Sequence, residues 1–297
     1  MQNETKGMLY GLIAVSAFAL TLPMTRVIVP YMDPVFIGLG RALVASFLAI
    51  TLLLFLKQER PSLKQVSQLI IVALGVVIGF PVLSSWAMQY VPASHGGVVL
   101  GILPLATAVI GVVIGNERPS LAFWVVGIVG SAIVVLYALL QGAGSIHVAD
   151  FALLGAVFSA ATGYAFGARL AKTMGGWQVI CWAHILALPF ILLPALSRMP
   201  ESLTDIPFYI YANFLYLALI SQFFAFFVWY KGLVLGGIAR VSQTQLLQPV
   251  ITLLASILFL KEVIDSETFV FIFLVLGSVW ISKKMPIREK LKKADAV

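Results

Sequence analysis

Four basic side chains stand inside or at the edge of long apolar stretches: Arg26, Arg41, His95 and His184. An ionisable group in such a setting is a functional candidate by default. Histidine changes charge near neutral pH, so His184 is read two ways, as a proton relay or as a hydrogen-bonding partner to a neighbouring helix. Arg41 is expected to donate to carbonyls or to reach outward along its aliphatic stem. Arg26 follows Pro23 and Thr25 and is read as an interface anchor or as a contact for a ligand carboxylate. His95, beside Gly96-Gly97, is expected in an outer vestibule. Neutral polar groups cluster more tightly. The segment "RVSQTQLLQP" brings Ser242, Gln245, Gln248 and Pro249 within about two turns, while Thr21 and Thr25 flank Pro23. Ser84, Ser85, Trp86 and Gln89 fall on one stretch, and Ser221, Gln222, Phe223 and Phe227 on another. A few polar groups on an apolar wall make a typical small-molecule site. The competing use is interhelical hydrogen bonding, worth about 0.6 kcal/mol per pair. In "QFFAFFVWY" six aromatics cover every helix face; Phe227 is a candidate to stack on an aromatic ligand, and Trp229 and Tyr230 are expected at a membrane interface.

The elements carrying these residues follow from composition. Of 297 residues, 61% are hydrophobic and 10% charged, with mean hydropathy +1.04. A water-exposed globule cannot hide that much apolar surface, so the bilayer is the main solvent. About 20 apolar residues make a helical span. The pattern predicts an all-α integral membrane protein with ten of them: 7–29, 34–56, 67–90, 94–115, 120–140, 150–172, 177–196, 208–230, 239–260 and 266–282. Short turn-rich links such as "KQERPS", "NERPS" and "MGGW" join them. Barrel strands would alternate apolar and polar residues, and these runs do not.

The net charge of +7 sits in short loops and the tail, which serves orientation rather than nucleic-acid binding. With both tails cytoplasmic, fifteen Lys and Arg face the cytoplasm and three face outside. That bias predicts both termini inside, with a basic tail over 285–297 near anionic lipid; the membrane itself is expected to be a bacterial inner membrane. Membrane lipids are thus expected partners, and the oligomeric state is left open.

The chain also repeats itself. Pro104 precedes Glu117 by 13 positions, and Pro249 precedes Glu262 by the same number. Gly130-Ser131 answers Gly277-Ser278, and Arg41 answers His184 at an offset near 144. Two five-span halves follow, over 7–141 and 150–284. Five is odd, so the halves enter from opposite faces, as in inverted-repeat transporters. Thirteen helical residues rise about 20 Å, which puts each proline near mid-membrane. Proline removes a helical hydrogen bond, and Pro104 and Pro249 are read as hinges beside a central cavity or as packing kinks.

At this point Trp86–Ser131, Trp229–Ser278 and the "GLGRAL" around Arg41 resemble the EamA-type branch of the drug/metabolite transporter superfamily. The resemblance covers nearly the whole chain. It implies a ten-helix basket with a cavity lined mainly by spans 1, 3, 4, 6, 8 and 9. It also implies export or exchange of a small metabolite, amino acids being common substrates. No Asp or Glu lies deep in a span, which favours a neutral, zwitterionic or anionic substrate over a lipophilic cation. There is no G-x-x-x-x-G-K-[ST], H-E-x-x-H or G-x-S-x-G, and Cys181 is the only cysteine. The reading is therefore a secondary transporter, not an enzyme, with no metal or cofactor. A uniporter within that class and a receptor or scaffold outside it are the alternatives.

Overall fold

The computed structural model describes residues 2–115, 117–140, 147–202, 204–251 and 266–289. Glu262, the end of the second Pro-x12-Glu stretch, lies outside them, as does 290–297 of the basic tail. Six helical segments are long and apolar enough to cross a membrane: Gln2–Ile28, Pro34–Phe55, Leu63–Ala87, Val148–Met174, Gly176–Ser197 and Phe208–Gly236. Two shorter apolar helices, Leu103–Ile114 and Leu121–Tyr137, accompany them. Most of these segments are half buried and half apolar on the outside, with Phe55, Leu63, Phe190, Phe208 and Phe273 exposed. Only lipid is a suitable solvent for such a surface. The chain is a multi-pass helical membrane protein.

Several segments that the hydropathy pattern predicts as continuous helices are broken, each for a local reason. The first comprises α1 (Gln2–Phe18) and α2 (Thr21–Ile28). Pro23 cannot donate to the carbonyl four residues back, and the chain turns at Ala19-Leu20. The Tyr216 hydroxyl donates to the Ala17 carbonyl beside this break, at 2.9 Å. α3 (Pro34–Phe55) starts on Asp33, whose carboxylate caps Val35, with proline in the first helical turn. α4 (Leu63–Val72) opens on a Ser62/Gln65 capping box, then widens into a π-helix over Ala73–Gly79 before α5 (Phe80–Ala87).

The next apolar stretch splits into α6 (Ala93–Leu100) and α7 (Leu103–Gly115), with Pro104 in the first turn of the second piece. α8 (Leu121–Leu140), α9 (Val148–Met174) and α10 (Gly176–Ser197) are continuous. α11 (Phe208–Leu215) and α12 (Ala225–Gly236) flank a second π-helix over Tyr216–Phe224. α13 (Ile238–Ser242) tightens into a 3₁₀ turn over Gln243–Leu246, and helix resumes toward Pro249. α14 (Ser266–Lys284) follows.

One feature departs from the all-helical expectation. Just after α14, β2 (Ile287–Glu289) leaves the tail to pair antiparallel with β1 (Glu117–Pro119), matching Glu117 to Glu289. The start of the basic tail is thus tied to the loop after α7.

Small residues set the closest helix contacts. At Gly7 of α1, a Cβ would lie 2.5 Å from the Gly236 nitrogen of α12, so the two backbones touch there. The core proper joins α1, α9, α10 and α12, with Trp229 and Tyr230 fully buried inside it. Both were expected at the membrane interface. Instead Tyr230 turns inward and donates to the Gly163 carbonyl at 3.1 Å, while Trp229 packs its ring 5.2 Å from that of Tyr164.

Candidate functional site

A narrow cavity of about 20 Å³, room for about one water molecule as it stands, lies where the broken and π-widened helices converge. Phe18 and Thr21 reach it from α1 and α2, Arg41 from α3, and Val76 and Phe80 from the first π-helix and α5. Leu100 and Leu103 bracket the break before Pro104, Tyr164 enters from α9, and Ser221, Gln222 and Phe226 from the second π-helix and α12. Gln248 completes the wall just before Pro249. The irregular backbone therefore collects at the one place where polar groups can meet freed carbonyls. π-Helical turns often occur at functional sites for this reason.

The polar contacts are specific. The Gln222 amide donates to the Val76 carbonyl at 3.0 Å, which links the two π-helices directly. It also faces His184 Nε2 at 3.5 Å. His184 Nδ1 donates to the Ile180 carbonyl at 2.9 Å, and Ser46 donates to the His184 carbonyl at 3.2 Å. His184 is fully buried behind Gln222 and does not itself line the cavity. The Thr21 and Ser221 hydroxyls bond each other at 2.8 Å across the wall. Phe18, Tyr164 and Phe226 form an aromatic corner, with ring centroids 5.3–6.3 Å apart.

Arg41 is 1% exposed and faces this space. It neither reaches outward nor bonds a carbonyl. Its Nε and Nη1 are buried without a hydrogen-bond partner among the described residues. Of the other residues singled out from sequence, Gln222 and Gln248 line the cavity. Pro104 and Ser242 meet just beyond it: the Ser242 hydroxyl donates to the Pro104 carbonyl at 3.2 Å and to Ala239 at 2.8 Å. Gln245 is buried in the 3₁₀ turn with its amide unbonded among the described residues. Ser85 is likewise buried and unbonded. Thr25 donates back to the Thr21 carbonyl at 2.7 Å, an intrahelical bond. Trp86 stacks on Tyr90, Phe227 packs among Phe223, Phe224 and Trp177, and Gln89 is exposed. None of these four lines the cavity, because their faces turn to neighbouring helices or outward.

Polar contacts also join the helices toward both of their ends, outside the cavity lining. At one end His95, at the start of α6, meets Asp150, at the start of α9, at 2.5 Å. Asp150 also caps the His147 nitrogen at 2.8 Å. Nearby, Arg26 donates to the Met88 carbonyl and, at 3.1 Å, to Gln89. The helical rise places the other end about 30 Å away, where α1 begins and α7 finishes. There Arg240 of α13 meets Glu4 of α1 at 3.4 Å. It also donates to the Lys283 carbonyl at 2.5 Å and the Met285 carbonyl at 3.2 Å. Glu117, 5% exposed, spans to α13 with both oxygens, accepting from Ile238 N at 2.6 Å and Ala239 N at 2.8 Å. Gly237 adopts φ +84° just ahead of that helix, and a Cβ there would lie 3.1 Å from Glu117.

Sequence reasoning singled out His95 but missed its partner, and it missed Glu4, Glu117 and Arg240 as contacts. The signal was present in the spacing. His95 and Arg240 are 145 positions apart, and Glu4 and Asp150 are 146 apart.

Broken helices converging on a mainly apolar pocket with a few polar groups, inside an apolar helical shell, are an arrangement found in membrane transporters. The chain belongs to the EamA-like transporter family, which it matches over residues 5–139 and again over 147–283. It is 42% identical over 262 residues to the Bacillus subtilis (strain 168) protein named uncharacterized transporter YdeK, covering 88% of this chain and 91% of that one. A second protein of that strain, uncharacterized transporter YetK, is 27% identical over 271 residues, covering 85% and 80%. Among solved structures, one crystal structure shares the fold with a TM-score of 0.75 at 15% identity, covering 94% of this chain and 98% of that one.

Proposed function

We propose that this family member is a secondary transporter that exports or exchanges a small organic metabolite, an amino acid or a relative of one, by alternating access. In this reading ten spans form two inverted repeats, 7–141 and 150–284, with both termini cytoplasmic in a bacterial inner membrane. The observation that carries it is the pair of mirrored contacts toward opposite ends of the helices, His95–Asp150 and Arg240–Glu4. Each joins the start of a broken helix to the start of a long helix from the other half. An offset of 145–146 residues interchanges them with the faces reversed. Two quasi-equivalent latches, one on each side of one site, are what alternating access needs.

Further features support the same reading. The π-helices begin at Ala73 and Tyr216, 143 positions apart, and Pro104 and Pro249 each follow a helix break. Close glycine packing also recurs in reciprocal pairs, with α1 against α12 and α9 against the first π-helix, where Gly75 meets Ser159 and Gly163.

The test is counterflow in proteoliposomes with labelled amino acids and organic anions, at zero and imposed pH gradients. One label is expected to accumulate, and to stop doing so in Gln248→Ala. Silence across the panel with folded protein, together with silent efflux from cells, overturns the reading.

A further inference from the structure

Arg41 sets a problem that the fold does not solve. A guanidinium is a permanent cation with five donors in a planar fork. This one is 1% exposed, in a wall otherwise made of aromatics, aliphatics, amides and hydroxyls. Two of its nitrogens are buried without a partner among the described residues. Among the described residues, the cavity lining contains no Asp or Glu. Among the described residues, the ionisable group electrostatically coupled to Arg41 is Tyr164, a phenol. Its counterpart in the other half, His184, is turned away, with Nδ1 on Ile180 and Nε2 toward Gln222. A buried ion without a counter-ion is costly, and a planar fork is matched best by a carboxylate.

We infer that Arg41 is the anchor for a carboxylate on the transported molecule, so that the substrate is a monocarboxylate with an apolar or aromatic body. This rests on the transport reading above. The body is placed by the aromatic corner of Phe18, Tyr164 and Phe226, on the same wall as Arg41. The remaining polar atoms there are the neutral groups of Thr21, Ser221, Gln222 and Gln248. They suit hydroxyls or an amine as secondary contacts, but they offer no charge to hold a cation. A substrate whose only charge is positive would meet Arg41 with like charge, and the site excludes it. The carboxylate thus supplies the counter-charge that the protein withholds, and the guanidinium is paired only when the site is filled.

The experiment uses purified full-length protein in proteoliposomes, wild type against Arg41→Gln, Arg41→Met and Arg41→Lys. The probes are labelled phenylacetate and phenylalanine, with phenylacetamide and phenethylamine as matched compounds lacking the carboxylate. Wild type is expected to exchange one or more of the carboxylates and neither matched compound. Arg41→Gln and Arg41→Met lower that exchange on the order of 100-fold, the loss of a charge-assisted bidentate pair, and Arg41→Lys recovers part of it. Thermal unfolding of the empty protein separates anchoring from scaffolding. An unpaired cation is not holding the fold, so Arg41→Met unfolds no earlier than wild type, and only wild type is stabilised by the carboxylate probe. Exchange of phenethylamine or phenylacetamide by wild type, unchanged in Arg41→Gln, overturns the anchor and leaves transport standing. A marked fall in the melting temperature of empty Arg41→Met overturns it as well, by making the arginine structural. Absence of exchange for every probe, with folded wild type that exchanges another compound of the wider panel, overturns the anchor and leaves transport standing; silence across that panel and in cellular efflux removes both.

Discussion

Glu117 offers the sharpest perturbation of the end that carries the termini. Its two oxygens accept from Ile238 N at 2.6 Å and Ala239 N at 2.8 Å, and only 5% of the residue is exposed. Glu117→Gln keeps the volume but turns one acceptor into an NH₂ donor that faces a backbone N–H. One charge-assisted bond is lost and the other loses its charge. Bonds of this kind are worth about 1.5–3 kcal/mol each, so closure should weaken by roughly 2–3 kcal/mol. At about 1.4 kcal/mol per factor of ten, the open fraction at this end rises roughly 30- to 140-fold. The assay is thiol labelling of Gln248→Cys, whose side-chain position lines the cavity. A membrane-impermeant maleimide is added on the face that carries the termini. Cys181 is buried and is the chain's only native cysteine, so its silence reports that the variant is folded. If labelling changes less than about threefold while Cys181 stays silent, a bond worth more than ~1 kcal/mol is not gating access, and the reasoning fails. An equal rise from the opposite face refutes it too, since general loosening would do that.

The remaining predictions act on other parts. His95→Ala removes one partner of a pair whose side chains are 10% and 16% exposed, so labelling of Gln248→Cys from the opposite face should rise on the order of 10- to 100-fold, with no rise from the side bearing the termini. Gly7→Val puts a Cβ 2.5 Å from the Gly236 nitrogen. Backbone against backbone cannot yield by a rotamer change, so the variant should lose about 1–3 kcal/mol, read as a lower melting temperature in nanodiscs.

How much of this was legible in the sequence depends on the scale of the force involved. The long apolar helices were legible because burial in lipid acts over about 20 residues at once. Six of the ten expected spans correspond to long apolar helical segments among the described residues, and Pro34–Phe55 and Gly176–Ser197 are observed within about two residues of the pattern. The breaks were half legible. Pro23, Pro104 and Pro249 mark them, but the sequence does not say whether a proline bends a helix or splits it. The π-helices left no local sign, since Ala73–Gly79 is seven ordinary apolar or small residues. Their extra turn is set by contacts such as Gln222 to Val76, 146 positions away. Helical phase failed for the aromatics for a related reason. With aromatics on every face of α12, the choice of Tyr230 for the interior depends on the Gly163 carbonyl, which sequence cannot locate. The end contacts were missed because Glu4, Asp150 and Arg240, each taken singly, carry no signal of a partner. Only their pairing by offset distinguishes them.

In the proposed two-repeat reading, the matched positions that agree and those that differ do different work. Latches must resemble each other, because one must form as the other parts. His95 and Arg240 accordingly keep the same basic character, as do Asp150 and Glu4 the acidic. A single binding site has no such need, and at its wall the repeat diverges. Arg41 faces the cavity with nitrogens unpaired, while His184, 143 positions on, is tied to Ile180 and shielded by Gln222. A second buried arginine at that position would add another unpaired cation to the interior. A bonded histidine there avoids that second charge and leaves one unmatched cation for the substrate. Duplication thus accounts for the gates, and departure from duplication accounts for the site.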